Sequence, residues 1–102
     1  MLAMYIVRDI FQLQFGHYRD AKALLQSAKD QKLLPPDAKE VRILSDFTGD
    51  AYRLIFEQGY DSLSDYEKSM EAGMGGDEWK NWYEDFKKHV ISSHREILKL
   101  VF

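Results

Sequence analysis

Residues alternate between apolar and polar along four stretches of this chain, and apolar residues recur at helical spacing along the stretches between them. From Met4 to Phe15, Val7, Phe11, Leu13 and Phe15 share one side, while Ile6, Arg8, Ile10, Gln12 and Gln14 share the other. A period of two over this length predicts a strand, which Gly16 ends. Tyr18, Ala21, Leu24, Leu25 and Ala28 then fall on one stripe, predicting an amphipathic helix over 18–32. Pro35 and Pro36 forbid its continuation.

Alternation resumes over 40–48, where Val41, Ile43 and Phe47 oppose Arg42, Leu44, Asp46 and Thr48. It returns over 51–57, where Tyr52, Leu54 and Phe56 oppose Arg53, Ile55 and Glu57. The Thr48-Gly49-Asp50 turn between them reads as the tip of a hairpin. Ser62, with Asp65 three positions on, predicts a helix N-cap, and the helix carries Leu63, Tyr66 and Met70 on one side. Gly73, Gly75 and Gly76 interrupt it, since each interior glycine costs a helix about 1 kcal/mol. Asp77 is expected to cap a second helical piece striped with Trp79, Trp82, Phe86 and Val90. A last strand is expected over 95–102, with Leu98, Leu100 and Phe102 opposite Ile97, Lys99 and Val101.

The order strand, helix, strand, strand, helix, strand predicts an α+β domain spanning 1–102: a four-stranded antiparallel sheet with its helices on one face. The clean apolar side of each strand then meets the helices. The other side is left uncovered within one chain. Four strands about 4.8 Å apart and about 20 Å long leave roughly 400 Å² there. Ile6, Ile10, Leu44, Ile55, Ile97 and Val101 are expected on it, and a patch of this size points to a partner. A homodimer with two sheets face to face is the simplest cover. Arg8, Gln12, Asp46, Arg53, Glu57 and Lys99 share this side by parity. They are read either as cross-strand pairs near an interface rim, Arg53 with Asp46 for example, or as part of a polar cleft that takes a small anionic molecule.

Composition narrows the partners. The 102 residues form one domain, and a net charge of −3 argues against nucleic acid, which requires a concentrated basic face. The absence of cysteine removes disulfides, thiolate metal sites and a cysteine nucleophile, and fits a reducing, cytoplasmic setting. Residues 1–7 are apolar but too short to span a membrane and lack a basic leader, so neither signal peptide nor membrane association is expected. His17, His89 and His94 lie too far apart in sequence for a recognisable metal motif, and no cofactor is expected. No serine sits in a nucleophile-elbow sequence.

Tyr5-Ile6-Val7-Arg8, the hairpin Arg42-Ile43-Leu44-Ser45-Asp46-Phe47-Thr48-Gly49 with Tyr52, Tyr60-Asp61-Ser62-Leu63, Glu78-Trp79-Lys80-Asn81-Trp82-Tyr83 and His94-Arg95-Glu96-Ile97-Leu98 together resemble the dimeric α/β-barrel superfamily of ferredoxin-like proteins. The chain is most similar to the NIPSNAP-like branch, beside the antibiotic-biosynthesis-monooxygenase-like one. That resemblance implies a ferredoxin-like βαββαβ fold forming a dimeric α/β barrel. It does not imply one chemistry, since the superfamily includes cofactor-free oxygenases, haem-degrading enzymes, isomerases and proteins of unknown function. The haem-degrading members use an asparagine of the first strand and a tryptophan and histidine of the second helical region. The first strand here has no asparagine. His89 follows Phe86 by three residues where those enzymes typically have four, a difference of about 100° of helix.

Two functions follow as expectations. One is a homodimeric small-molecule-binding protein, with Arg8, Tyr52, Arg53, Trp79 and Trp82 as candidate ligand contacts. The alternative is a cofactor-independent monooxygenase or isomerase acting on a planar aromatic substrate between the sheet and the second helix. There His89 would be the base and Trp79 or Trp82 a flat wall. A purely structural subunit would instead have a filled, dry interior.

Overall fold

The structure, a computed structural model, describes residues 3–34, 38–46, 52–73 and 76–102. The element order is β1 (Tyr5–Leu13), α1 (Tyr18–Asp30), β2 (Glu40–Ser45), β3 (Arg53–Tyr60), α2 (Leu63–Gly73), α3 (Asp77–Lys87) and β4 (Val90–Lys99). The strands form one antiparallel sheet in the order β2-β3-β1-β4. This is the expected ferredoxin-like arrangement, with the second helical region divided in two. The expected turn at Thr48-Gly49-Asp50, the Pro35-Pro36 connection and Phe47 lie outside the described residues.

Alternation sets the layers. Val7 and Leu13 of β1, Leu54 and Phe56 of β3, Ala21 and Leu25 of α1, and Phe86 of α3 are buried. Leu13, Ala21, Leu25, Leu54 and Phe86 form one cluster that locks α1 and α3 onto the same side of the sheet. Burying each of its larger side chains contributes about 1.5–3 kcal/mol. α2 joins this side through Tyr60, whose ring meets Tyr66 edge-on and whose hydroxyl bonds Ser69.

Local signals fix the element ends. Ser62 Oγ accepts from the Asp65 amide at 3.1 Å, so the expected N-cap of α2 is in place. α1 stops at Asp30, two residues before its expected end. Lys32 takes φ 58°, and the Leu33 amide reaches back to the Ala28 carbonyl at 2.9 Å, the pattern of a left-handed helix cap. The N-cap of α3 is Gly76 rather than the expected Asp77, which falls in the first turn.

Other expectations need correction. β3 runs on to Tyr60 because Gln58, Gly59 and Tyr60 pair with Val7, Ile6 and Tyr5. Phe15, expected on the inner side, follows the end of β1 and is largely exposed. The greatest change is in β4, which starts at Val90 instead of Arg95. Val90 is therefore a strand residue rather than the end of a helical stripe, and His89 lies beyond α3 altogether. Ile97 pairs with Val7 and Lys99 with Tyr5, which puts both on the helix side. Leu98, Glu96 and His94 take the open side opposite Ile6, Arg8 and Ile10. Val101 lies beyond the strand. Both alternating sets of β4 are apolar enough to be buried, so parity alone could not orient it.

The open side carries the cross-strand pairs expected of the polar residues. Arg42, Glu57, Arg8 and Glu96 occupy one register row across all four strands. Glu57, only 5% exposed, accepts from Arg8 Nε at 2.8 Å and Arg42 Nη2 at 2.9 Å. Arg53 Nε donates to both oxygens of Asp46, at 3.0 and 3.1 Å. The next row places Leu44, Ile55 and Ile10 side by side.

Candidate functional site

A cavity of about 450 Å³ lies between the sheet and the three helices. Its floor is the helix side of the sheet: Asp9 and Phe11 from β1, Phe56 and Gln58 from β3, and Ser93 and Arg95 from β4. Trp79, Trp82, Tyr83 and Phe86 of α3 form one wall. Leu25, Leu33 and Leu34 stand on the α1 side, and Ser69 and Met70 on α2. The volume lies in the usual range for small-molecule sites, about 300–1,000 Å³.

The wall is a run of near-parallel rings. Trp82 stacks on Phe86 with centroids 5.0 Å apart and planes 11° apart, and Trp79 stacks on Trp82 at 5.2 Å and 29°. Helical spacing produces this: residues 79, 82, 83 and 86 share one face of α3. Trp82 is anchored by its indole Nε1, which donates to the Leu24 carbonyl of α1 at 2.7 Å. Trp82 thus presents a flat apolar surface held in fixed orientation, with Trp79 stacked against it.

The floor carries an ion pair where the sequence pattern promised only apolar residues. Asp9 and Arg95 are direct register partners on β1 and β4, and Arg95 Nε donates to Asp9 Oδ1 at 2.5 Å. Asp9 is the deeper member, its side chain 12% exposed against 47% for Arg95. Burial disfavours the Arg95 guanidinium, but the hydrogen bond and charge of Asp9, helped by Tyr66, outweigh it and raise its pKa above the usual value. The Tyr66 phenol is also raised, chiefly by burial, with Asp9 adding to the shift and Arg95 opposing it. It therefore stays protonated at neutral pH. Beside the pair, the Gln58 side chain accepts from the Tyr60 hydroxyl through Oε1.

Neither Asp9 nor Arg95 stands out in the sequence, because β1 reads as apolar on this side. The signal was present in the parity: Asp9 falls between Val7 and Phe11 on the inner face, and a carboxylate there requires a partner. Arg95 opens the expected last strand, but parity with Ile97 and Lys99 puts it on the open side there, away from Asp9; the observed register brings it to the helix side.

Of the residues singled out in the sequence, Trp79 and Trp82 line the cavity. Arg8 and Arg53 lie on the opposite side of the sheet, in the ion pairs described above. Tyr52 packs against the core cluster at φ 53°, its carbonyl accepting from the Leu13 amide at 2.8 Å. His89 is half-buried just past α3, with its Nδ1 2.9 Å from Nδ1 of His17. One imidazole must donate and the other accept in that contact. His89 borders a shallow depression with Asp20, Leu24, Asp85 and Lys88, and does not line the cavity. Among the described residues, no group of three or more histidine or acidic side chains is placed to hold a metal ion. No helix among them is long and apolar enough to cross a membrane.

No family model matches the sequence, and no curated protein matches it. Solved structures do match the fold. A NIPSNAP family protein from Agrobacterium tumefaciens superposes with a TM-score of 0.83 at 18% identity, covering 93% of this chain and 90% of that one. An uncharacterized NIPSNAP domain protein from Burkholderia xenovorans gives 0.85 at 13% identity, covering 96% and 95%. A candidate antibiotic biosynthesis monooxygenase from Nitrosomonas europaea gives 0.74 at 14% identity, covering 97% and 100%. At these identities the chain shares their fold, and fold alone carries no activity.

Proposed function

We propose that this protein is a homodimeric small-molecule-binding protein whose cavity between sheet and helices takes a planar aromatic ligand. The observation that carries this reading is the cavity itself, in which a wall of stacked rings from Trp79 to Phe86 faces the Asp9–Arg95 pair. A flat ring gains contact area on such a wall without disturbing it, and the polar pair orients one edge. The reading gives Trp79 and Trp82 a contact role, leaves Arg8 and Arg53 to the open side of the sheet, and assigns no proton transfer to His89. The same reading sets the protein in the cytoplasm.

Dimerisation through the open side is supported by its composition. Among the described residues, no helix covers Ile6, Ile10, Ile55, Leu44 and Leu98, and Leu44 and Leu98 are about two-fifths exposed. The Arg42–Glu57–Arg8–Glu96 row alternates in charge. A second sheet laid across it can meet opposite signs while covering the apolar rows.

The likeness to monooxygenase-type structures, together with a carboxylate on the cavity floor, favours one second reading. It is a cofactor-independent monooxygenase or isomerase acting on a planar aromatic substrate in the same cavity. The binding reading is tested by thermal shift with naphthalene and with decalin, its saturated counterpart. Stabilisation by naphthalene well above that by decalin supports an aromatic site. Equal shifts, or none, contradict it.

A further inference from the structure

We infer that the cavity selects a neutral hydroxyaromatic compound, a phenol or naphthol, by taking its O–H on Asp9, and discriminates against an aromatic carboxylate of the same size. This rests on the cavity being the ligand site and adds the chemistry of the ligand.

Three observations lead there. First, the deepest charged group on the floor is an acceptor: Asp9 is the more buried partner, and Arg95 the more exposed. Second, Asp9 meets Arg95 through Oδ1, and no partner for Oδ2 is present among the described residues. A carboxylate has room for several hydrogen bonds, so this oxygen is an open acceptor at the edge of an apolar chamber. Third, Asp9 and Arg95 cancel, so the floor holds no surplus positive charge. A carboxylate ligand would add a second negative charge beside Asp9 in surroundings that screen poorly.

A hydroxyl solves both problems. It donates to Asp9 Oδ2, and its oxygen can accept from the Gln58 amide. Gln58 is 4% exposed, lines the cavity, and uses Oε1 for Tyr60 while no partner for Nε2 is present among the described residues. The ring behind the hydroxyl then lies along Trp79 and Trp82.

The chain contains two tryptophans, and both line the cavity, so intrinsic fluorescence reports on this site. We would titrate the protein with 2-naphthol, 2-methoxynaphthalene and 2-naphthoate, correcting for absorption by the probes. A hydrogen bond to a charged acceptor predicts that 2-naphthol binds about tenfold or more tighter than its methyl ether. It also predicts that 2-naphthoate binds more weakly than 2-naphthol. In Asp9→Asn, with the fold checked by circular dichroism, the advantage of naphthol over methoxynaphthalene should shrink to about two- to threefold. Equal affinity for naphthol and its ether in the unaltered protein overturns the inference but leaves the cavity a binding site. Tighter binding of naphthoate also overturns it and makes Arg95 an anion anchor. Absence of quenching by any of the three overturns both the inference and the functional reading beneath it.

Discussion

Asp9 and Arg95 face each other across neighbouring strands on the inner side of the sheet, their side chains joined at 2.5 Å beneath a wall of aromatic rings. This pair has unequal members. Removing Arg95 leaves a buried carboxylate without its counter-charge, whereas removing the charge of Asp9 leaves a guanidinium with ready access to water.

Arg95→Met is therefore expected to destabilise the fold by about 1–3 kcal/mol, below the full cost of breaking a buried pair because Arg95 is half exposed. Asp9→Asn should cost less. Urea unfolding of the two variants measures the difference, and a larger loss in Asp9→Asn would contradict the assignment of Asp9 as the deeper group.

Tyr66 gives a pH prediction. Its folded pKa is raised above the unfolded value of about 10, so the native state holds the phenolic proton more tightly. The associated stability is fully present below pH of about 10 and is lost as pH rises through the raised folded value. Tyr66→Phe should fall less steeply in stability than the parent protein across that alkaline window, as read by chemical unfolding at several pH values. Parallel curves would show that Tyr66 is not the group responsible.

Ile55 lies on the open side of the sheet between Ile10 and Leu44. Ile55→Glu would set a carboxylate against a facing copy, while in a lone chain the half-buried position tolerates it better. Sedimentation velocity should report a dimer for the parent and a monomer for the variant. A variant that stays dimeric would place the interface elsewhere.

Gly59 meets Ala3 so closely that an added Cβ would sit 2.7 Å from the Ala3 Cβ and 3.3 Å from that of Glu40. Gly59→Ala should cost about 1–3 kcal/mol through overpacking where the chain enters β1. A neutral outcome in thermal unfolding would mean that residues near Ala3 shift aside freely.

Much of this molecule was legible in its sequence, and the failures have physical causes. Val7, Leu13, Leu54 and Phe56 were placed on the helix side because a strand with one apolar and one mixed face has one sensible orientation. Ser62 announced α2 through a short-range hydrogen bond. The Arg53–Asp46 pair followed from parity and the hairpin. β4 was legible only as a strand, since Ile97 and Leu98 are interchangeable by hydrophobicity. Its register is decided by pairing with residues about 90 positions earlier in the chain. The cavity floor was hidden for the same reason: Asp9 and Arg95 explain each other only once their strands are adjacent. The tryptophans were visible as a helical stripe, but the space in front of them comes from three helices meeting over one sheet.

The most direct test of the central claim, that the ligand site lies on the helix side of the sheet while the open side serves association, is a two-dimensional ¹H–¹⁵N NMR titration with 2-naphthol. The indole N–H signals of Trp79 and Trp82 and the Nε–H of Arg95 should shift progressively, while the Nε–H signals of Arg8 and Arg53 stay fixed. Shifts confined to Arg8 and Arg53, with both indole signals unmoved, would contradict it.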